Sequence, residues 1–320
     1  MVIASAMDSL SAAPGPIPNL FIVGAPKCGT TSLYEYLRQH PQIFFPFSTE
    51  GYSRIKEPNH FCPELEILDK DAINDLGEYL SLYRDGEDAR WRGDASTNHL
   101  FSELAAEKIK SFCPDARILV MLRPPVDWMR SYHNELLRYH HEDIVEFHEA
   151  VEASKDRRNG LRLPPSTSVP KCLDYLEMGR FAPQVERYYR VFGRSAVKVV
   201  LLEDMVADSE ATFKEILEFL GVDSSFRPEF RIHNETPRHG RLERLVTTVY
   251  KRFGVKYLVQ RVLPYETRRK FLSFIRRQDK GKAALDPRDD QLRRQCAPDV
   301  ERLSALIERD LSHWQLRPRQ

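Results

Sequence analysis

The chain has 320 residues, of which 42% are hydrophobic and 10% aromatic, so we expect a globular protein with a sizeable core. Its 48 Lys and Arg residues nearly balance its 47 Asp and Glu residues, so no overall field attracts a polyanion and a nucleic-acid partner is not predicted. The five cysteines are scattered without metal-ligand spacing, which predicts free thiols, a reducing compartment and no metal site.

The N-terminal residues 1–18 are rich in Ala, Ser and Pro, and this composition predicts a flexible leader before a single domain at 19–320. The leader lacks the basic start and continuous apolar core of a signal peptide, and no later apolar run is long enough to span a bilayer. We therefore expect a soluble, cytoplasmic protein without an integral membrane segment.

Short apolar runs followed by amphipathic stretches recur along the domain and predict alternating strands and helices. The predicted strands are 20–23, 117–122 and 197–202. The predicted helices are 30–39, 71–83, one that begins near 102, 126–139, 175–189, 209–220 and 298–314. This order predicts an α/β fold: a three-layer, P-loop-like domain whose central parallel sheet is flanked by helices. Ligands of such sheets bind beyond the carboxyl ends of the strands.

The turn after the first predicted strand has the composition of an anion-binding loop. In residues 20–32, LFIVGAPKCGTTS, the glycines Gly24 and Gly29 allow the backbone to bend so that successive amides point inward. The helix that begins at Thr30 adds the partial positive charge of its N-terminus. The loop therefore predicts a phosphate or sulfate site.

The position of the lysine in this loop separates two classes of enzyme. The nucleoside triphosphate motif GxxxxGK[ST] needs a lysine where this chain has Thr30, whereas its lysine, Lys27, lies inside the turn. A lysine there can reach the oxygen that bridges two esterified groups instead of the terminal phosphates of ATP or GTP. A nucleotide kinase or NTPase remains an alternative, as does a non-catalytic nucleotide-binding protein of the same fold.

With this lysine-bearing loop, the chain resembles the sulfotransferase superfamily, which uses 3′-phosphoadenosine 5′-phosphosulfate (PAPS), and within it the bacterial members similar to the heparan sulfate and carbohydrate enzymes. The resemblance implies transfer of the PAPS sulfuryl group to a hydroxyl or amine of a carbohydrate, glycolipid or other small-molecule acceptor, without a metal. It also implies that Lys27 neutralises the leaving phosphate. The residues that the resemblance assigns to the 5′-phosphosulfate are Lys27, Cys28, Gly29, Thr30, Thr31 and Ser32.

A second motif, LRPPVDWMRSYHNE, places an arginine after a strand and a serine eight positions later, on the following helix. In sulfotransferases this pair holds the 3′-phosphate of the donor, and the resemblance assigns that role to Arg123 and Ser131. A guanidinium offers a planar fork to phosphate oxygens and a hydroxyl adds a neutral donor, which suits a 3′-phosphorylated nucleotide. Arg130 is the alternative arginine.

The motif KEPNHF, residues 56–61, supplies candidates for the base that takes the acceptor's proton. By resemblance to the glycan-type enzymes Glu57 is the base, whereas the cytosolic aryl enzymes use a histidine. His60 and His99 therefore stay open, and the catalytic set predicted from sequence is Lys27, Glu57 and His60. The alternative is a surface Glu57 paired with Lys56, together with a buried structural His60.

Two further segments depart from the family pattern. The motif GDASTNHL, residues 93–100, has Ala95 where the heparan sulfate enzymes carry a lysine, which removes a second ammonium from that position. Further along the chain, Arg238 is a candidate late contact to the donor, and it begins a basic stretch, 238–277. This stretch suits an acidic substrate, a membrane-facing amphipathic face or the solvated faces of packed helices.

Overall fold

A parallel five-stranded sheet forms the centre of the protein in a computed structural model, which describes residues 16–48, 55–65, 72–139, 141–164, 169–231 and 286–316. The spatial order of the strands is β2, β3, β1, β4, β5, and each neighbouring pair is parallel. The strands are β1 (Leu20–Gly24), β2 (Ile43–Phe44), β3 (Trp91–Asp94), β4 (Arg117–Leu122) and β5 (Val197–Leu201). The predicted α/β architecture with a flanked parallel sheet is confirmed.

Helices flank the sheet and alternate with the strands along the sequence. They are α1 (Thr30–Leu37), α2 (Leu76–Ser81), α3 (Ala105–Phe112), α4 (Pro125–Arg138), α5 (Phe147–Glu152), α6 (Ser154–Arg158), α7 (Tyr175–Met178), α8 (Phe181–Phe192), α9 (Leu202–Ala207), α10 (Ser209–Leu220) and α11 (Pro287–Ile307). None of these described helices combines the length and apolar composition that a membrane span requires.

The three strands predicted from apolar runs are β1, β4 and β5, which are neighbours in the sheet. Every residue of β1 is buried, and β4 is buried from its second residue on. The short β2 and the polar β3, with sequence WRGD, carry no such run, so the apolar pattern did not predict them. The strand β3 pairs with β1 through Leu20 opposite Gly93 and Phe21 opposite Asp94, so partners elsewhere in the chain define it.

Some helix boundaries differ from the sequence prediction at positions where a capping residue starts the helix or a proline lies inside it. The predicted helix 71–83 is shorter because the Asp75 side chain accepts from the Glu78 amide at 2.7 Å and starts α2 at Leu76. The predicted helix 175–189 is divided into α7 and α8, with Gly179 packed against α4. The predicted helix 298–314 in fact begins at Pro287, and Pro298 lies inside it. The leader up to residue 15 and the basic stretch 238–277 lie outside the described residues.

A buried ion pair holds together the segments that follow α4. Arg157 on α6 donates two hydrogen bonds to the Glu142 carboxylate, at 2.7 and 2.6 Å, and both side chains are fully buried. The Tyr175 hydroxyl donates to the same carboxylate at 2.7 Å. Burial alone would raise the pKa of Glu142, but the hydrogen bonds from Arg157 and Tyr175 outweigh it and keep the pKa below its ordinary value.

Replacement of this carboxylate should therefore destabilise the fold strongly. We expect Glu142→Ala to lower the free energy of unfolding by about 3–5 kcal/mol, because the guanidinium stays buried without its partner. Urea unfolding followed by circular dichroism measures the loss. The matched control is Glu186→Ala, which removes the carboxylate of the exposed pair with Arg302 and should cost at most about 1 kcal/mol. Equal losses in the two variants would contradict a special role for the buried pair.

Candidate active site

The loop of residues 25–29, between β1 and α1, is fixed against the carboxyl end of β4 and the start of α4. The Ala25 amide donates to the Met121 carbonyl at 2.7 Å, and the Trp128 indole donates to the Pro26 carbonyl at 2.8 Å. Arg123 donates from Nη1 to the Lys27 carbonyl at 3.2 Å. The anion-binding loop and the arginine after β4 are therefore in direct contact, as expected for ligands bound beyond the carboxyl ends of parallel strands.

Two close approaches explain why glycines bracket this loop. Gly24 has a φ of +148°, and a Cβ there would lie 2.6 Å from the Thr97 carbonyl oxygen. Gly29 has a φ of +84°, and its Cβ would lie 2.7 Å from Leu202 Cδ1. Both positions thus require glycine for backbone conformation and for space.

The N-terminus of α1 directly follows the loop. Gly29 is its N-cap and has no side chain to bond the first amides, and the first turn has no acidic residue. Thr30 is buried, and Thr31 and Ser32 are half-buried. The Cys28 thiol is fully buried, and burial raises its pKa to about 12, so it is a neutral packing group of the turn.

Lys27 forms an ion pair with Glu135 on α4. The lysine has a φ of +65°, and its side chain is mostly buried, whereas Glu135 is about a quarter exposed. Glu135 follows Ser131 by one helical turn, so both lie on the same face of α4. The structure therefore brings Lys27 to the helix that carries Ser131.

Arg123 and Ser131 flank the loop on the β4–α4 side. The Nε atom of Arg123 is buried and has no hydrogen-bond partner among the described residues, while its Nη1 bonds to the loop. A buried guanidinium N–H without an acceptor suits an anionic ligand, because the group loses solvation without a protein partner. Ser131 is also buried. The role of this pair in binding a phosphate stays a prediction.

An ion pair and a hydrogen bond hold the Glu57 carboxylate near the end of β3. One carboxylate oxygen is paired with the ammonium of Lys56, and the other accepts from the Thr97 hydroxyl at 2.9 Å. The side chain remains a quarter exposed. Because the Thr97 carbonyl packs against Gly24, Glu57 is connected to the start of the anion-binding loop.

The two candidate histidines, the partly buried His60 and the buried His99, have different surroundings. Nδ1 of His60 donates to the Ile73 carbonyl at 2.7 Å, and its ring stacks on Tyr79 with centroids 4.4 Å apart. Burial lowers the pKa of His60 below its ordinary value, which weakens it as a proton acceptor. His99 is completely buried, and burial lowers its pKa as well. These contacts favour Glu57 as the base, and the catalytic role of His60 stays a prediction.

Sequence reasoning missed two residues of this site, Glu135 and Thr97. Both lie inside motifs that the sequence singled out, but their partners are distant: Lys27 and Glu135 are 108 positions apart, and Glu57 and Thr97 are 40 apart. The alternative pair of Glu57 with Lys56 is present, with Lys56 buried and not at the surface. Ala95, where the family lysine is missing, donates from its amide to the Lys56 carbonyl at 3.3 Å, so a lysine reaches this neighbourhood from another loop. Arg238 lies outside the described residues.

The chain is similar in sequence to known sulfotransferases. The human carbohydrate sulfotransferase 15 is 25% identical to the chain over 257 residues, which cover 64% of this chain and 44% of the relative. The human bifunctional heparan sulfate N-deacetylase/N-sulfotransferase 1 is 24% identical over 215 residues, which cover 65% of this chain and 22% of the relative. The chain therefore spans less than half the length of these curated relatives.

A solved structure extends the similarity over nearly the whole chain. A sulfotransferase from Alicyclobacillus acidocaldarius is 31% identical, with a TM-score of 0.62, and the match covers 94% of this chain and all of that one. The sulfotransferase domain family matches residues 18–278. The chain belongs to the sulfotransferase domain family.

Proposed function

We propose that this protein transfers the sulfuryl group of PAPS to a hydroxyl or amine of a carbohydrate acceptor. The observation that carries the proposal is the convergence of Lys27, Arg123 and the uncapped N-terminus of α1 on one loop. Glu57 is linked to that loop through Thr97. This combination provides sites for two anionic groups and a carboxylate for proton transfer.

The residues present fit the donor. PAPS supplies an activated sulfuryl group on a 5′-phosphate and carries a second phosphate on the ribose. The amides at the start of α1 would hold the 5′ end, and Lys27 would neutralise the charge that develops on the leaving phosphate. Arg123 would bind the 3′-phosphate through its unpartnered Nε, with Ser131 adding a hydroxyl.

Glu57 would act as the base. Its carboxylate is fixed by Lys56 and Thr97 yet stays partly exposed, so an acceptor can reach it. A positioned carboxylate that accepts the proton of an attacking hydroxyl or amine typically contributes about 10²–10⁴ in rate.

The rival nucleotide kinase or NTPase is not favoured. Thr30 occupies the position of the phosphate-binding lysine of those enzymes, and Lys27 is held on the turn by its pair with Glu135. The carbohydrate acceptor is supported by the similarity to a carbohydrate sulfotransferase and a heparan sulfate N-sulfotransferase. The metal-free reaction and the cytoplasmic location remain proposals from the sequence.

A direct assay tests the proposal. The protein is incubated with labelled PAPS and a panel of desulfated heparan sulfate, desulfated chondroitin, simple sugars, glycolipids and phenols, and mass spectrometry detects the added sulfate. Calorimetry compares adenosine 3′,5′-bisphosphate with ADP and Mg-ATP. We expect sulfation of a glycan and preference for the 3′-phosphorylated nucleotide. Binding of Mg-ATP without the bisphosphate would favour the kinase.

Lys27→Ala should abolish most of the turnover while the fold is kept. The lost ammonium stabilises charge that appears in the transition state, so kcat should fall on the order of 10²–10³-fold, more than the affinity for the donor changes. Steady-state kinetics with labelled PAPS measures both. Lys214→Ala, at an exposed lysine of α10, is the control and should behave as wild type. Full activity of Lys27→Ala would remove this mechanism.

Glu57→Gln and His60→Gln separate the two candidate bases. We expect Glu57→Gln to lower kcat by about 10²–10⁴-fold, because the amide cannot take the proton. His60→Gln should keep turnover within about tenfold of wild type, because His60 bonds to a backbone carbonyl and packs on Tyr79. The exposed Glu103→Gln is the matched control. The reverse ranking of the two variants would make His60 the base.

Glu135→Gln should tighten donor binding. The Lys27–Glu135 pair must open when Lys27 turns to a bound nucleotide, and the carboxylate also repels the phosphates. We expect the Kd of adenosine 3′,5′-bisphosphate to fall about threefold to tenfold, as measured by calorimetry. Glu218→Gln on α10 is the exposed control. Weaker binding by Glu135→Gln would show that the carboxylate supports the loop instead.

A further inference from the structure

Lys56 is a buried cation at the proposed site to which the family resemblance assigned no role. Its side chain is only 3% exposed, and its ammonium is paired with the neighbouring Glu57. The same ammonium lies 5.8 Å from the centre of the Tyr34 ring on α1. Its backbone carbonyl accepts from Ala95 at the end of β3. The lysine thus fills the space between α1 and β3, on the inner side of Glu57.

The burial of this ammonium is costly unless a carboxylate compensates it. A charged amine removed from water needs a partner and good hydrogen bonds, and a single side-chain carboxylate, that of Glu57, is paired with it among the described residues. The aromatic face of Tyr34 adds a weaker attraction. Lys56 and Glu57 are therefore coupled: a change in the charge of one alters the environment of the other.

The pair also determines how Glu57 is oriented. Lys56 engages one carboxylate oxygen and Thr97 the other, so rotation of the carboxylate would break one contact or both. A base acts efficiently only when its lone pair points at the proton that it takes. Both contacts come from the protein interior, which leaves the outer lone pairs of the carboxylate for an acceptor.

We infer that Lys56 is a positioning residue for sulfuryl transfer, which acts through Glu57; the inference rests on the proposed function. Glu57 takes the proton of the acceptor O–H or N–H. An electron pair on that oxygen or nitrogen forms the new bond to sulfur, and the sulfur–oxygen bond to the donor phosphate breaks. The proton stays on Glu57 and the electron pair leaves with the nucleotide. Lys56 fixes the carboxylate before the step. After the step its positive charge remains beside the newly neutral acid, close to a donor that carries negative charge.

A double-mutant cycle with Glu57 separates this role from simple packing. Lys56→Met keeps the length of the side chain and removes the charge, and Lys56→Arg keeps the charge. In wild-type background we expect Lys56→Met to lower kcat about 10–100-fold, with the KM for PAPS changed less than about threefold. In Glu57→Gln background the same change should lower the residual kcat less than about threefold, because the group through which Lys56 acts is gone.

The acceptor for these assays is desulfated heparan sulfate or the best acceptor of the panel, with labelled PAPS. Lys56→Arg should recover part of the lost kcat. Lys198→Met, at a partly exposed lysine paired with Glu215, is the matched control and should keep wild-type kinetics. Thermal unfolding and bisphosphate binding of each variant show that the fold and the donor site are retained.

Three results would overturn the inference. The first is a Lys56→Met variant with wild-type kcat. The second is an equal loss of kcat in the wild-type and Glu57→Gln backgrounds, which would mean that Lys56 acts independently of the base. The third is a loss that falls on the KM for PAPS and on unfolding alone, which would make the lysine a packing residue. If the wild type sulfates no acceptor while it binds the bisphosphate, the proposed function fails first and the inference fails with it.

Discussion

The close packing of one backbone turn is the constraint on which the candidate site depends. Gly24 packs against the carbonyl of Thr97, which lies just after β3, while the Ala25 amide donates to the Met121 carbonyl near the end of β4. These contacts leave no room for a side chain at Gly24 and fix the turn between two strands. Lys27 is therefore presented to α4, and Arg123 reaches its backbone. A shift of this turn would move the lysine, the arginine contact and the start of α1 together.

Two ion pairs, each between a lysine and a glutamate, lie at the candidate site. Lys27, 15% exposed, is paired with Glu135, whereas Lys56, 3% exposed, is paired with Glu57. The first pair is the more accessible and opens at lower cost, because water screens its separated charges. The second pair is costly to separate, so it stays as a fixed unit of base and cation. This difference in exposure underlies the proposal that the first pair exchanges with a ligand and the second orients a base.

Local sequence carried enough information for the loop but not for its partners. The buried run of β1, the two glycines and the hydroxyl residues of α1 lie within one short segment, so their geometry follows from local rules. The pairing of Lys27 with Glu135 and the polar strand β3 follow from tertiary contacts between distant segments, which no local pattern encodes. The same limit applies to α11, where Pro298 resembled a helix start although the helix already begins at Pro287.

The sequence alone does not decide between the two candidate bases. Glu57 and His60 are three positions apart in one motif, and either side chain can accept a proton. Between them Asn59 adopts a φ of +52°, and its amide is bonded to the Ser96 hydroxyl at 2.9 Å. On either side of this left-handed residue, Glu57 accepts from the Thr97 hydroxyl while the partly buried His60 ring stacks on Tyr79. Asn is one of the few residues that adopt this conformation readily, so a single residue between the two candidates directs their side chains to different neighbours.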